Sequence, residues 1–172
     1  KTDYLIFAIG GVLLSAAHPP LSMPYVTVLV LASIGQHWHR KKPNHGESLL
    51  CGWLFGLGYF TSNLYWISIS LTFDESFKFL IPLSIVLVPA FLALFYGLVS
   101  FLFLILKPKK NLSSFFLFSL IFGTIEFIRG TIMTGFPWNL IAYSFSNYIE
   151  ILSITSIIGT YSFNLFCISL FT

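Results

Sequence analysis

Between Lys78 and Lys107 the sequence carries no acidic or basic side chain, and residues 80–106, LIPLSIVLVPAFLALFYGLVSFLFLIL, are apolar almost throughout. This run is longer than the roughly twenty residues a helix needs to cross the hydrocarbon core of a bilayer. A helix apolar on every face belongs in a membrane or in the core of a large protein. The composition agrees. Hydrophobic residues make up 56% and charged residues 9% of the chain, with a mean hydropathy of +0.87, whereas soluble domains carry roughly a quarter charged residues. A soluble globular fold is excluded, and the expected fold is all-α and polytopic.

Apolar runs mark about six transmembrane helices, at approximately residues 4–17, 21–38, 47–72, 79–106, 112–132 and 149–171, forming one helical domain over residues 1–172 with no soluble domain. The first run is short for a span. A basic start and small residues near Ser15 resemble a secretory signal peptide. His18-Pro19-Pro20 followed at once by a second apolar run fits a helical hairpin better. Lys1 in place of methionine reads as a processed or partial chain. In the six-span arrangement Lys1, Arg40, Lys41, Lys42, Lys107, Lys109 and Lys110 share one side, and only Lys78 lies in a loop on the other. The lysine-rich side is cytoplasmic, the N-terminus with it.

The formal charge of +3 comes from these scattered loops, so topology explains it and nucleic acid is not an expected partner. Cys51 and Cys167 lie far apart in apolar segments without metal-ligand or disulfide spacing. His37 and His39, two residues apart, point to different sides of a helix and read as a basic interfacial cap. Neither a metal nor a cofactor is expected. Gly52 and Gly56, four apart, mark a helix-packing face, and Pro82 and Pro89 predict a kink near Val86.

Two polar clusters interrupt the apolar pattern. In EFIRGTIMTGFPWNLIAY, residues 126–143, Glu126 and Arg129 lie three apart, on one helix face, and form an expected ion pair that makes both charges tolerable in a membrane. Thr134, Gly135, Phe136, Pro137, Trp138 and Asn139 then form a turn expected at the interface, with Trp138 and Tyr143 set ring in lipid and polar tip in water. The second cluster, Asn63, Tyr65 and Trp66, falls on the same, periplasmic side. Together these residues either line a lipid or substrate entrance or form an interfacial aromatic belt. Glu126 is a weaker candidate for a general base than for a structural ion pair. No residue is assigned a catalytic role.

Glu126-Phe-Ile-Arg129-Gly130 followed by Thr134-Gly-Phe-Pro-Trp138 and Tyr143-Ser144, preceded by GLGYFTSNLYWISISL at residues 56–71, resembles the amino-terminal membrane part of apolipoprotein N-acyltransferase. The resemblance covers essentially the whole chain, with a looser match at His18-Pro19-Pro20. It implies a multi-pass enzyme of the bacterial inner membrane that transfers an acyl chain from a phospholipid donor to the N-terminal diacylglyceryl-cysteine of a lipoprotein substrate. It further implies a Glu-Lys-Cys triad in a nitrilase-like periplasmic domain, and none of that triad maps onto these residues, so the chain alone is expected to lack catalysis and to be truncated. A non-catalytic membrane subunit, a small transporter, and the inactive product of an interrupted gene are the alternative expectations. A transporter would show two corresponding halves with broken helices, and the sequence has no such symmetry.

Overall fold

The computed structural model describes residues 2–106, 111–132 and 136–171, all of them helix, turn or irregular backbone. Lys107–Lys110, the expected basic stop, and the turn residues Thr134 and Gly135 lie outside the described residues.

The chain begins with α1 (Thr2–Leu14), which tightens into a 3-10 turn (Ser15–Ala17) and turns back through His18 and its two prolines into α2 (Tyr25–Lys41). The hairpin reading of this region therefore holds, with α2 starting at Tyr25 because Pro24, which has no N–H to give, is its N-cap. Lys42 ends α2 in the left-handed conformation, with φ 47°, its N–H bonded to the Trp38 carbonyl. Two residues later the Asn44 side chain accepts from Glu47 N at 2.9 Å while the Glu47 carboxylate accepts from Asn44 N at 3.2 Å. This reciprocal cap starts α3 (His45–Leu64).

α3 is the central helix, packed against α1 on one side and α5 (Ile81–Leu106) on the other. Both crossings are close because glycine faces backbone. A Cβ on Gly11 would lie 1.9 Å from the Phe55 carbonyl oxygen and one on Gly58 2.2 Å from that of Ala8. On the opposite face, a Cβ on Gly52 would lie 2.5 Å from the Tyr96 carbonyl oxygen, and one on Gly56 3.0 Å from the Ala93 Cα. The small-residue stripe thus sets the α3–α5 separation.

The apolar run expected as one helix over residues 47–72 is helical only to Leu64, followed by the four-residue α4 (Ile67–Ser70). Hydroxyls explain the break. Ser68, Ser70 and Thr72 donate to the carbonyls three residues back at 2.6, 2.6 and 2.7 Å, competing with the helical ladder. A 3-10 segment (Glu75–Leu80), capped by Asp74, leads into α5, where Pro82 falls in the first turn and Pro89 in the interior.

α6 (Asn111–Ile132) pairs antiparallel with the final helix, α9 (Thr160–Phe171): Gly123 faces Leu165 and Gly130 faces Tyr161. Between them the expected single run over residues 149–171 is three pieces, α7 (Ile149–Leu152), α8 (Thr155–Ile158) and α9. Gly159, at φ 82°, separates the last two in a conformation that only glycine adopts readily.

The interior is an aromatic stack around Tyr96, whose ring lies 5.8 Å from Tyr59, 5.1 Å from Phe60 and 4.9 Å from Phe122. The outside is apolar as well. Leu5 and Ile9 on α1, Val86 and Leu94 on α5, and Leu120 and Phe127 on α6 are all exposed, an outer surface suited to lipid rather than water. Two of the described helical stretches, residues 75–106 and 114–132, are long and apolar enough to cross a membrane.

Candidate functional site

Residues 136–145 carry the expected turn, exposed at Phe136 and half-buried at 137–139, on into the helix bundle. They make a strap laid into the helix bundle, with Leu140, Ile141, Ala142 and Ser144 fully buried and a 3-10 turn at Ile141–Phe145. The Phe145 ring contacts both Phe163 and Phe171 of α9. The 3-10 turn thus packs against α9. Asn139 takes φ 40° to make the turn, a conformation that asparagine tolerates better than most side chains.

Irregular backbone among apolar helices needs partners for its N–H and carbonyl groups, and four polar side chains, three from helices and one from the turn after α1, supply them. Arg129 of α6 donates through Nη2 to the Trp138 carbonyl. Asn164 of α9 accepts from Ala142 N at 3.0 Å. Tyr59 of α3 donates to the Asn139 carbonyl at 2.9 Å. His18, at the end of the first hairpin, bonds the Leu140 carbonyl through Nε2 at 3.1 Å and the Tyr59 hydroxyl at 3.0 Å. One tautomer satisfies all of these contacts: Nε2–H donates to the Leu140 carbonyl and the tyrosine oxygen, freeing the Tyr59 O–H for Asn139. Burial holds the His18 imidazole below its usual pKa, against the Leu140 and Leu14 carbonyls that raise it, so the ring is neutral at pH 7.

Glu126 ties the set together from behind. Its Oε1 accepts from Tyr96 Oη at 3.2 Å and faces Arg129 Nη2 at 3.4 Å, while Oε2 accepts from Asn164 Nδ2. Arg129 and Glu126 are 0% and 1% exposed. The Phe60 ring lies 5.0 Å from the guanidinium carbon, adding a cation–π contact. Both carboxylate oxygens are engaged with protein groups, so Glu126 presents none to a substrate, and the arrangement holds backbone in place rather than moving a proton.

The other residues singled out from sequence separate into inner and outer positions. Trp138 and Pro137 are half-buried at the strap's entry, and the Trp138 ring lies 4.7 Å from that of the exposed Phe136. Tyr143 is half-buried. Asn63 is buried and donates to the Tyr59 carbonyl one turn back, so its amide is spent within α3. Tyr65 and Trp66 are half exposed, at the end of α3. The strap and the end of α3 are joined, but through Tyr59 and His18 rather than through these residues. Sequence reasoning did not single out Tyr59, Tyr96 or Asn164 for the site, and read His18 only as part of the hairpin turn. A polar side chain inside an apolar run was the available signal.

Both cysteines are buried within helices, Cys51 in α3 and Cys167 in α9. His37 does not pair with His39; its Nε2 lies 3.1 Å from Asp3, which with Lys41 and Glu47 pins the ends of α1, α2 and α3 together.

Residues 10–170 match the family model described as apolipoprotein N-acyltransferase N-terminal domain. Similar curated proteins are apolipoprotein N-acyltransferases. The one from Brucella melitensis is 43% identical over 94 residues, which is 54% of this chain and 18% of that protein. The one from Rhodopseudomonas palustris is 34% identical over 123 residues, 71% of this chain and 23% of the relative. For Rickettsia prowazekii the figures are 38% over 124 residues, 70% and 25%. The matched stretch thus spans a quarter or less of each relative. With its helical run, buried strap and acid-arginine brace matched over residues 10–170, the chain belongs to the apolipoprotein N-acyltransferase N-terminal domain family.

Proposed function

We propose that this chain is the membrane-embedded part of a bacterial apolipoprotein N-acyltransferase, crossing the inner membrane about six times with its N-terminus in the cytoplasm. The whole enzyme takes an acyl chain from a phospholipid and places it on the N-terminal diacylglyceryl-cysteine of lipoproteins. The observation that carries this reading is the buried strap at residues 136–145, held from α3, α6 and α9 inside the stretch that matches the family.

The role of these residues is to bind and orient. A thioester-forming cysteine needs access to substrate and an activating neighbour, and Cys51 and Cys167 are 0% and 1% exposed. Two buried thiols fit a nucleophile supplied by a catalytic domain rather than by these helices. The Glu126–Arg129 brace fixes α6 to the strap. The strap supports the membrane face of a catalytic domain, and Tyr65, Trp66, Trp138 and Tyr143 border the path of the lipid substrates. Asn63 shapes the end of α3.

The test is to deplete the native protein in its host and weigh the N-terminal peptide of an abundant lipoprotein. The expected result is a peptide lighter by one acyl chain. A fully triacylated peptide after depletion overturns the proposal.

A further inference from the structure

At the end of the bundle opposite the strap, α2 stands away from α5 and α6, and the gap is a crevice of about 420 Å³. Ala32, Gly35, Gln36 and His39, spaced three and four residues apart on one face of α2, form its open wall. Phe103 of α5 and Phe118 of α6 form the facing wall. A Cβ on Gly35 would have no atom within 4 Å, so this wall is unfilled rather than merely loose.

At its outer end the crevice meets a second recess through Trp38 and His39, which line both, and there Lys42 and Pro43 take over the wall. The acidic groups nearby in sequence are already engaged: Asp3 faces His37 and Lys41, and Glu47 faces Lys41. Among the described residues Arg40 and Lys42 are in no ion pair, and both are exposed. An apolar slot thus opens onto a basic rim.

We propose that this crevice is a binding site for an anionic phospholipid of the cytoplasmic leaflet, one acyl chain lying along α2 and the phosphate against Lys42 and Arg40. The inference rests on the membrane reading above but not on acyl transfer: the crevice reaches inward to Tyr96 and Phe122, and its basic mouth at Lys42 opens at the end of the bundle away from the strap. The length suits one acyl chain. From Leu31 to His39 the crevice runs about 12 Å, close to the depth of one leaflet. The rim fits an anionic head: basic recesses between transmembrane helices on the cytoplasmic side suit acidic phospholipids. A chain seated there would fill the gap between α2 and the α5–α6 pair.

The experiment is native mass spectrometry of the whole native protein, stripped of lipid in detergent and titrated separately with palmitoyl-oleoyl phosphatidylglycerol and palmitoyl-oleoyl phosphatidylethanolamine. The expected result is one retained phosphatidylglycerol, preferred at least tenfold over phosphatidylethanolamine. Gly35→Leu, whose Cβ meets no atom within 4 Å and whose branch enters the slot, is expected to abolish retention of that lipid while the protein unfolds at the same or a higher temperature. Lys42→Glu is expected to remove the preference between the two lipids. Retention unchanged in Gly35→Leu would place the lipid elsewhere, at an acyl-donor site for example, and overturn the proposal. So would a native protein that retains no lipid and is destabilised by Gly35→Leu, the result expected if another helix of the chain covers the crevice.

Discussion

Replacing Arg129 with alanine strands a carboxylate in the interior, and the size of the effect can be worked from the geometry. At 3.4 Å and an effective dielectric of about 20, the Glu126–Arg129 attraction is worth about 5 kcal/mol before desolvation. Removing one partner of a buried pair costs about 3–5 kcal/mol, because the remaining charge keeps its burial and loses its counter-ion. Arg129→Ala also leaves the Trp138 carbonyl without its donor. Against a total stability of about 5–15 kcal/mol, such a loss is severe. Glu126→Gln alone is expected to cost a similar amount, since it strands the arginine. The double variant Glu126→Gln/Arg129→Met strands no charge and is expected to recover at least half of the Arg129→Ala loss. The assay is SDS-induced unfolding of the purified protein in mixed micelles, followed by tryptophan fluorescence. A loss below about 1 kcal/mol in Arg129→Ala, or a double variant no more stable than Arg129→Ala, would refute the brace.

Three further outcomes follow from local geometry. Gly58→Ala pushes a Cβ onto the Ala8 carbonyl and is expected to cost about 1–3 kcal/mol by overpacking the α1–α3 crossing, whereas Gly35→Ala, in open space, is expected to be neutral or stabilising by up to about 1 kcal/mol; thermal unfolding of the pair checks both. Asn44→Ala removes one half of the reciprocal cap of α3 and is expected to cost about 1 kcal/mol, read in the same scan. His18 is held neutral by burial, so the unfolded chain binds a proton at higher pH than the folded one. Stability from this residue is full above the unfolded pKa of about 6.5 and falls as the pH drops below it. His18→Gln, which keeps a donor but does not titrate, is expected to flatten that part of the stability curve between pH 7 and 5.

The readable features were those carried by local spacing. Glu126 and Arg129 three apart, the Gly52–Gly56 stripe and the His18-Pro-Pro hairpin each specify a contact within a few residues, or one face of a helix. The partners across the bundle had no such mark. Tyr96 reaches Glu126 thirty positions on and Asn164 reaches it from thirty-eight, and nothing in either local sequence names the other. Tyr59 sits in an apolar helix where a tyrosine is equally at home as an aromatic of the core. Helix ends were misjudged for a physical reason: apolar content marks what is buried or lipid-facing, and the serines and threonines that break residues 65–72 and 153–158 into short turns barely change it. The burial of residues 140–144 had no mark, because Pro137 and Asn139 announce a turn but say nothing of how the chain after it packs.

The most direct measurement of the central claim, that these residues bind and orient while the nucleophile lies outside them, is acyl transfer by the native gene product with Cys51→Ala and Cys167→Ala combined. Phospholipid and a synthetic diacylglyceryl lipopeptide are supplied, and the lipopeptide is weighed. The account predicts a gain of one acyl chain, with the native protein and the double variant alike. A double variant that stays folded yet adds no acyl chain, beside a native protein that does, would contradict it.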